Sequence, residues 1–267
     1  FRTKKIRFSA LAVNDETVTL RVRDKRDSAA AQQIFLDLGS DFSTTRNGNT
    51  FYIKFNDAGL SLMQNRTVDQ SIEIIRRRLD PEGTKEPIIQ RQGLDRILVQ
   101  LPGVDDPEAV KRLLGRTAKL TFQLVDMSMT AVEAKKRGRT PPGSVLMQSA
   151  NDDARNYLIE KRVMVSGEML DGATATFDQN NRPAVSFVLN SNGARRFGKV
   201  TGENIGRPFA IILDGKVVSA PTIQSQIFGN GQITGDFSVA ETNELALVLR
   251  AGALPAPLII MEERSIG

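Results

Sequence analysis

The sequence predicts an α+β fold: a ferredoxin-like base of strand–helix–strand units with an antiparallel sheet, and an α+β head subdomain inserted into it. Three observations carry this. Segments of period 2 and of period 3.6 alternate at both ends of the chain. Turn signals at Gly93 and Asp214-Gly215 join neighbouring strands as hairpins. Between Asp126 and about Arg207 the texture changes, becoming more polar and richer in turn residues.

At the amino end, Thr17–Val22 alternates as a strand, Ala29–Leu38 reads as a helix closed by Gly39, and Thr50–Phe55 alternates again. A second helix is predicted over Val68–Leu79, with Val68, Ile72, Ile75 and Leu79 on one face and Thr67 with Gln70 as a capping box. Pro87–Gln92 and Arg96–Leu101 read as strands across a turn at Gly93. Asp106-Pro107 then opens a helix to Leu114, and Ala118–Val125 returns as a strand.

In the middle region, Met127–Arg137 is predicted helical, Gly138–Ser144 with Pro141-Pro142-Gly143 is a loop, and Asn151–Arg162 is a second charged helix. Strands follow at Ala173–Phe177 and Ala184–Leu189, and Ser191 opens a short helix carrying Phe197 and Val200. The last quarter reads as a strand from Phe209, the Asp214-Gly215 turn, a second strand and a further strand at Ile233–Phe237. A helix capped by Ser238 and Glu241 then ends at Gly252, and a strand is expected over Leu258–Glu262.

Composition narrows the chemistry. The chain has no histidine and no cysteine, which removes the commonest general base, the thiolate nucleophile, any Ser-His-Asp relay and the usual zinc ligands. Asp105-Asp106 is explained by helix capping, Asp152-Asp153 has the same first-turn placement, and neither pair offers enough oxygens for calcium. No phosphate-cradling glycine loop is present. No catalytic residue, metal or cofactor is therefore assigned. The net charge of +5 admits anionic partners, but the basic residues are spread along the chain. The runs Arg76-Arg77-Arg78 and Lys135-Lys136-Arg137 each fall late in a helix, where solvated cations suit the negative end of the dipole. With no Trp and 2 Tyr, base-stacking platforms are scarce, and no nucleic-acid partner is expected. No segment reaches the ~20 apolar residues of a membrane-spanning helix. A chain beginning at Phe1 reads as a piece of something longer.

The order of short motifs resembles the first periplasmic domain of SecD, the protein-export membrane subunit of the SecDF complex. The resemblance runs from Thr67 to Gly267. It rests on Gln70-Ser71-Ile72-Glu73-Ile74-Ile75-Arg76-Arg77-Arg78-Leu79, Glu86-Pro87 with Gln90-Arg91-Gln92-Gly93, and Arg96-Ile97-Leu98-Val99-Gln100-Leu101-Pro102-Gly103-Val104. It continues through Ser166-Gly167-Glu168-Met169-Leu170, Ala210-Ile211-Ile212-Leu213-Asp214-Gly215 and Gly252-Ala253-Leu254-Pro255-Ala256-Pro257. The family's acidic Gly-Gly segment and its membrane helices are absent. The resemblance implies that this segment supplies a strand to the base, so an open sheet edge is an expectation.

The resemblance implies a non-enzymatic domain on the periplasmic side of the bacterial inner membrane. Its parent is membrane-embedded and works with SecF and the Sec channel, using the proton gradient to help draw translocating polypeptide outward. The implied organisation is an accessory β-α-β unit over 1–66, the base over 67–125 and 208–267, and the head over 126–207. One continuous domain with a long excursion is the alternative. Hinge strands are expected at Val125 and Asp126 and at Gly206, Arg207 and Pro208. Polypeptide contact needs adaptable apolar surface, for which Met164, Met169, Leu170, Phe187 and Phe197 are candidates, although the alternation of Val185, Phe187 and Leu189 equally describes a head core. The competing classes are an RNA-binding module and a small-molecule-binding regulatory module of the same ferredoxin-like fold.

Overall fold

A computed structural model describes residues 5–14 and 16–264; Gly267, where the resemblance ends, lies outside them. The chain forms two compact units: 1–69 with 91–96, and 70–90 with 97–267.

In the first unit, β1 (Phe8–Asn14), β2 (Thr17–Val22), α1 (Ser28–Leu36), β3 (Phe42–Asn47) and β4 (Thr50–Phe55) follow in order. The sheet order is β1-β2-β4-β3, antiparallel throughout. The expected strand–helix–strand unit is thus a four-stranded antiparallel sheet, because β1 and the polar β3 pair on either side of the two strands legible in the sequence. Its core is Leu20, Val22, Ala31, Phe35, Phe51 and Ile53, with the Phe35 and Phe51 rings 5.0 Å apart.

The helix expected from Val68 is α2 (Asp57–Leu79), running from the first unit into the second. Asn56 caps it by accepting from the Gly59 N–H at 2.8 Å. Thr67 lies in its interior and donates to the Met63 carbonyl, so the expected Thr67–Gln70 capping box is not formed. β5 (Ile88–Gln92) and β6 (Arg96–Gln100) form a two-stranded sheet. With α3 (Pro107–Gly115) they enclose a cluster of Ile72, Ile75, Leu79, Ile89, Val99 and Leu114. Asp106 caps α3 as expected, accepting from the Ala109 N–H at 3.0 Å.

The remainder continues with β7 (Leu120–Leu124), α4 (Ala131–Arg137), β8 (Ser144–Gln148), β9 (Asn156–Glu160), β10 (Val165–Ser166), β11 (Leu170–Phe177) and β12 (Pro183–Leu189). It ends with α5 (Ser191–Glu203), β13 (Phe209–Leu213), β14 (Lys216–Ser219), β15 (Asn230–Thr234) and α6 (Val239–Ala251). One sheet has the order β10-β7-β13-β14 and another β11-β12-β15, and a third pairs β8 with β9. The first two share a core centred on Phe122, whose ring lies 5.2 Å from Phe187, 5.5 Å from Phe197 and 6.0 Å from Phe209.

Three expectations fail here. The charged helix over Asn151–Arg162 is the hairpin β8–β9: Asp152 turns the chain by accepting from the Ala154 N–H, and Leu158 and Ile159 are fully buried by sheet pairing. The strand at Ile233–Phe237 lies earlier, over Asn230–Thr234, in register with β12. Leu258–Glu262 forms no strand: Leu258 packs against the Ile75 cluster while Ile259, Ile260 and Met261 stay exposed.

The segment 126–207 does not close on itself. Its strand β12 pairs with β15, and its β10 with β7, so its sheets are completed from both flanks.

Candidate functional site

The sequence-predicted hinge residues come together where β7 ends and β13 begins. The Val125 N–H donates to Pro208 O at 3.1 Å, and Arg207 donates to Val125 O at 3.2 Å. Arg207 also pairs with Glu160 at 2.5 Å, and Gly206 takes φ +86 while donating to Ile223 O. Asp126 accepts from Ser128 and Ser144, and these hydrogen bonds, with the Arg207 charge nearby, hold its carboxyl below the usual range. All five residues lie at adjoining ends of paired strands, tied on both sides.

A clearer division lies elsewhere in this unit. On α3, Leu114 belongs to the Ile75 cluster while Leu113 packs against the Phe122 core, whose fully buried members run from Ala118 to Leu249; Leu258 belongs again to the Ile75 cluster. The chain therefore crosses between clusters twice, over 115–118 and over 250–258, and the crossings are stitched together where Leu254 N–H donates to Thr117 O at 2.9 Å.

Arg78 pins both crossings. Its side chain is 1% exposed, and the guanidinium donates to Leu113 O at 2.7 Å, to Arg116 O, to Thr117 O at 3.3 Å and to Gly252 O at 3.2 Å. Those of Leu113, Arg116 and Gly252 are carbonyls that the ends of α3 and α6 leave without intrahelical partners, and that of Thr117 belongs to the first crossing. Burial pushes the guanidinium down to about 10, with the Asp214 charge opposing, so it remains cationic at neutral pH. Arg76 and Arg77 are exposed as expected, but Arg78 is not a solvated helix end. Asp214 likewise does more than turn a hairpin: its carboxylate accepts from the Thr117 hydroxyl, from Ala118 N–H at 3.2 Å and from Lys119 N–H at 2.8 Å. It thereby holds Ala118 at φ +59, a conformation disfavoured for a residue with a Cβ.

Of the contact candidates, Met164, Phe187 and Phe197 are buried in the Phe122 core, while Met169 and Leu170 pack on it partly exposed. Sequence reasoning passed over Phe228, which is 66% exposed and sits against α5 at Gly198. Glycine makes that possible: a Cβ at Gly198 would meet the Phe228 ring at 2.7 Å, and one at Gly202 would meet Gln226 at 3.2 Å. The loop is fastened by Gln226 donating to Gly198 O at 3.0 Å and Ile227 N–H donating to the Thr201 hydroxyl at 2.9 Å. Beside it, Arg195, Lys199, Gly202, Glu203, Gln226 and Phe228 line an open depression of about 480 Å³. The signal in the sequence was the pair Gly198 and Gly202, four residues apart on one face of α5. Among the described residues no three Asp or Glu side chains converge as a metal site.

The second unit is thus an α+β domain whose surface carries an exposed aromatic beside basic side chains. The family model described as SecDF, P1 head subdomain, matches residues 144–256, and that described as protein translocase subunit SecDF, P1 domain, N-terminal, matches residues 68–127. The protein translocase subunit SecD of Rickettsia bellii is 46% identical over 269 residues, covering 100% of this chain and 52% of that protein. SecD of Aquifex aeolicus is 38% identical, with 100% and 53% covered. A solved structure titled "Structure and function of a membrane component SecDF that enhances protein export" superposes with TM-score 0.60 at 34% identity, covering 75% of this chain and 94% of that one. The crystal structure of SecDF in a super-membrane-facing form gives TM-score 0.61 at 34% identity, covering 74% of this chain and 28% of that one. The chain belongs to the SecD family and corresponds to its P1 domain. It spans about half the length of the curated relatives it matches. The matched head range reaches past 207 and takes in β15 and α6, in keeping with the β12–β15 pairing.

Proposed function

We propose that this chain is a non-enzymatic, polypeptide-receiving domain of a membrane-embedded translocase subunit, standing on the periplasmic side of the bacterial inner membrane. In this reading it works with SecF and the Sec channel, and its head moves against its base to assist proton-gradient-driven export. The observation that carries the reading is Phe228, a large aromatic held on the outside of the head by a glycine platform next to Arg195 and Lys199. An apolar side chain kept in water by its own packing surface suits promiscuous contact with unfolded chains. Met169 and Leu170 extend the contact surface, and Met164, Phe187 and Phe197 support it from the core.

The motion is assigned to the crossings at 115–118 and 250–258, pinned by Arg78, where the two clusters meet. Val125, Asp126, Gly206, Arg207 and Pro208 then travel with the head.

The test is titration of the chain with a reduced, alkylated protein that stays unfolded without aggregating, alongside single-stranded RNA at physiological salt. Polypeptide binding weakened by Phe228→Ser about tenfold, roughly the loss of one well-buried aromatic contact, supports the reading. Binding unchanged in that variant contradicts the site, and salt-resistant RNA binding without polypeptide binding contradicts the function.

A further inference from the structure

Cations gather at one end of the sheet in the first unit. Arg21, Arg23 and Lys25, with Asn47, Asn49 and Thr50, line an open depression of about 470 Å³ where the end of β2 meets the turn between β3 and β4. Arg21, Arg23 and Lys25 are all exposed, and none of them pairs with a carboxylate among the described residues. Asp24, the one carboxylate within 21–26, is engaged by Arg26 at 2.7 Å. The sequence before β1 adds Arg2, Lys4, Lys5 and Arg7 and no acid. The carbonyls at this end are already used: Val22 N–H donates to Asn49 O at 2.9 Å, Arg23 N–H to Arg7 O at 2.9 Å and Arg46 Nε to Gly48 O at 2.7 Å. Arg21 Nε donates to the Thr50 hydroxyl at 3.3 Å, which leaves its terminal nitrogens and the Thr50 proton as donors. The depression therefore presents chiefly donors and positive charge, the complement of a phosphate group.

The sheet extends this character beyond the depression. Register places Thr19, Thr50, Tyr52 and Lys54 on the same side as Arg21, opposite the buried Leu20, Val22 and Ile53. The strand positions on that side, from β1 to β3, carry no carboxylate. Tyr52 is 38% exposed there. One tyrosine is a poor platform for nucleic-acid bases, which stack on successive aromatics, but its ring and hydroxyl suit the headgroup level of a bilayer.

We infer that this face of the first unit docks on an anionic phospholipid surface, with a headgroup phosphate seated between Arg21, Arg23 and Lys25. This rests on the reading of the parent as membrane-embedded and adds a site that the polypeptide contact does not use. Charge complementarity carries the choice of occupant: a face with exposed cations, neutral hydroxyl donors and no carboxylate matches a layer of phosphates. Each cation near such a layer strengthens binding about fivefold, and the contact loosens as salt screens it.

The chain has no tryptophan, so Tyr52→Trp places a single fluorescent reporter on this face. The probes are vesicles of phosphatidylcholine alone and of phosphatidylcholine with phosphatidylglycerol, titrated into the full chain at physiological salt, with inorganic phosphate and single-stranded RNA as separate arms. The expected result is a blue shift of the reporter with the anionic vesicles only. Affinity should fall about fivefold in Arg21→Gln and again when Arg23→Gln is added, and stay unchanged in Lys136→Gln, an exposed cation on α4. The altered positions are all exposed, so an unchanged circular dichroism spectrum verifies the fold. Equal binding to both kinds of vesicle, or a loss as large in Lys136→Gln, overturns the inference. Phosphate or RNA bound through Arg21 and Arg23 by a chain that ignores vesicles overturns it as well. No vesicle binding by a chain that still binds unfolded polypeptide overturns this inference alone. The expected vesicle binding in a chain that binds no polypeptide supports it and contradicts the polypeptide reading.

Discussion

Replacing Arg78 by methionine keeps most of the side-chain volume and removes the guanidinium that reaches the carbonyls of Leu113, Arg116, Thr117 and Gly252 together. A hydrogen bond involving a charged group contributes about 1.5–3 kcal/mol. The contact to Leu113 has ordinary geometry, the one to Arg116 is closer, and two are long, at 3.2 and 3.3 Å. The sum is offset in part because a buried cation no longer has to be desolvated. The net loss works out at about 3 kcal/mol, a large share of a domain stability of about 5–15 kcal/mol. In urea this lowers the unfolding midpoint of the second unit by about 1–1.5 M, taking a slope of about 2–3 kcal/mol/M. Arg78→Lys recovers part of the loss, since one ammonium cannot span acceptors at the ends of two helices. Circular dichroism and amide exchange, followed on both units separately, make the measurement. A midpoint for Arg78→Met within the equivalent of about 0.5 kcal/mol of the parent refutes the view that this guanidinium holds the joint.

Other predictions follow the same geometry. Ser238→Ala removes the cap of α6 and costs about 1 kcal/mol by urea titration. The Glu241 carboxyl is held low by the Ser238 N–H and hydroxyl. Its contribution is therefore fully present above the ordinary glutamate range and lost as pH falls through its depressed folded value, which a pH series on Glu241→Gln checks. Gly198→Ala forces a methyl into the Phe228 ring, so polypeptide affinity should fall while the far-UV spectrum is retained. Phe122→Ala removes the ring common to three aromatic contacts and costs about 3–5 kcal/mol, measured as loss of urea resistance. Spin labels at Glu108 and Asn180, one on α3 and one at the β11–β12 turn, should report a changed distance distribution when unfolded polypeptide is added, if the two clusters move as bodies.

Local chemistry was the part of the fold most legible in the sequence. Asp106-Pro107, the Ser238 and Glu241 pair and the Asp214-Gly215 turn each satisfy their own backbone groups, so a few residues suffice to read them. Strands fixed by distant partners were less readable. The hairpin β8–β9 looked helical because charges flank Tyr157-Leu158-Ile159, and only pairing with Ser144–Gln148 makes those residues core. The polar β3 had no apolar alternation to mark it, and β12 found its partner β15 some forty residues on, across the expected head boundary. Arg78 looked like one of three solvated cations because nothing local marks the four carbonyls gathered from α3, the first crossing and the end of α6. The candidate site divided the same way. The cluster of Met164, Phe187 and Phe197 was visible as apolar spacing, but its burial was a property of packing, and the placement of the exposed Phe228 followed from Gly198 and Gly202 on a neighbouring helix.

The most direct test of the account places a photo-activatable phenylalanine analogue at Phe228 in the full-length parent protein, and the same analogue at Glu108 as a control, during export of a labelled precursor. The account predicts crosslinks from position 228 to the moving precursor and few from position 108. Crosslinks absent at 228 while export proceeds normally contradict it.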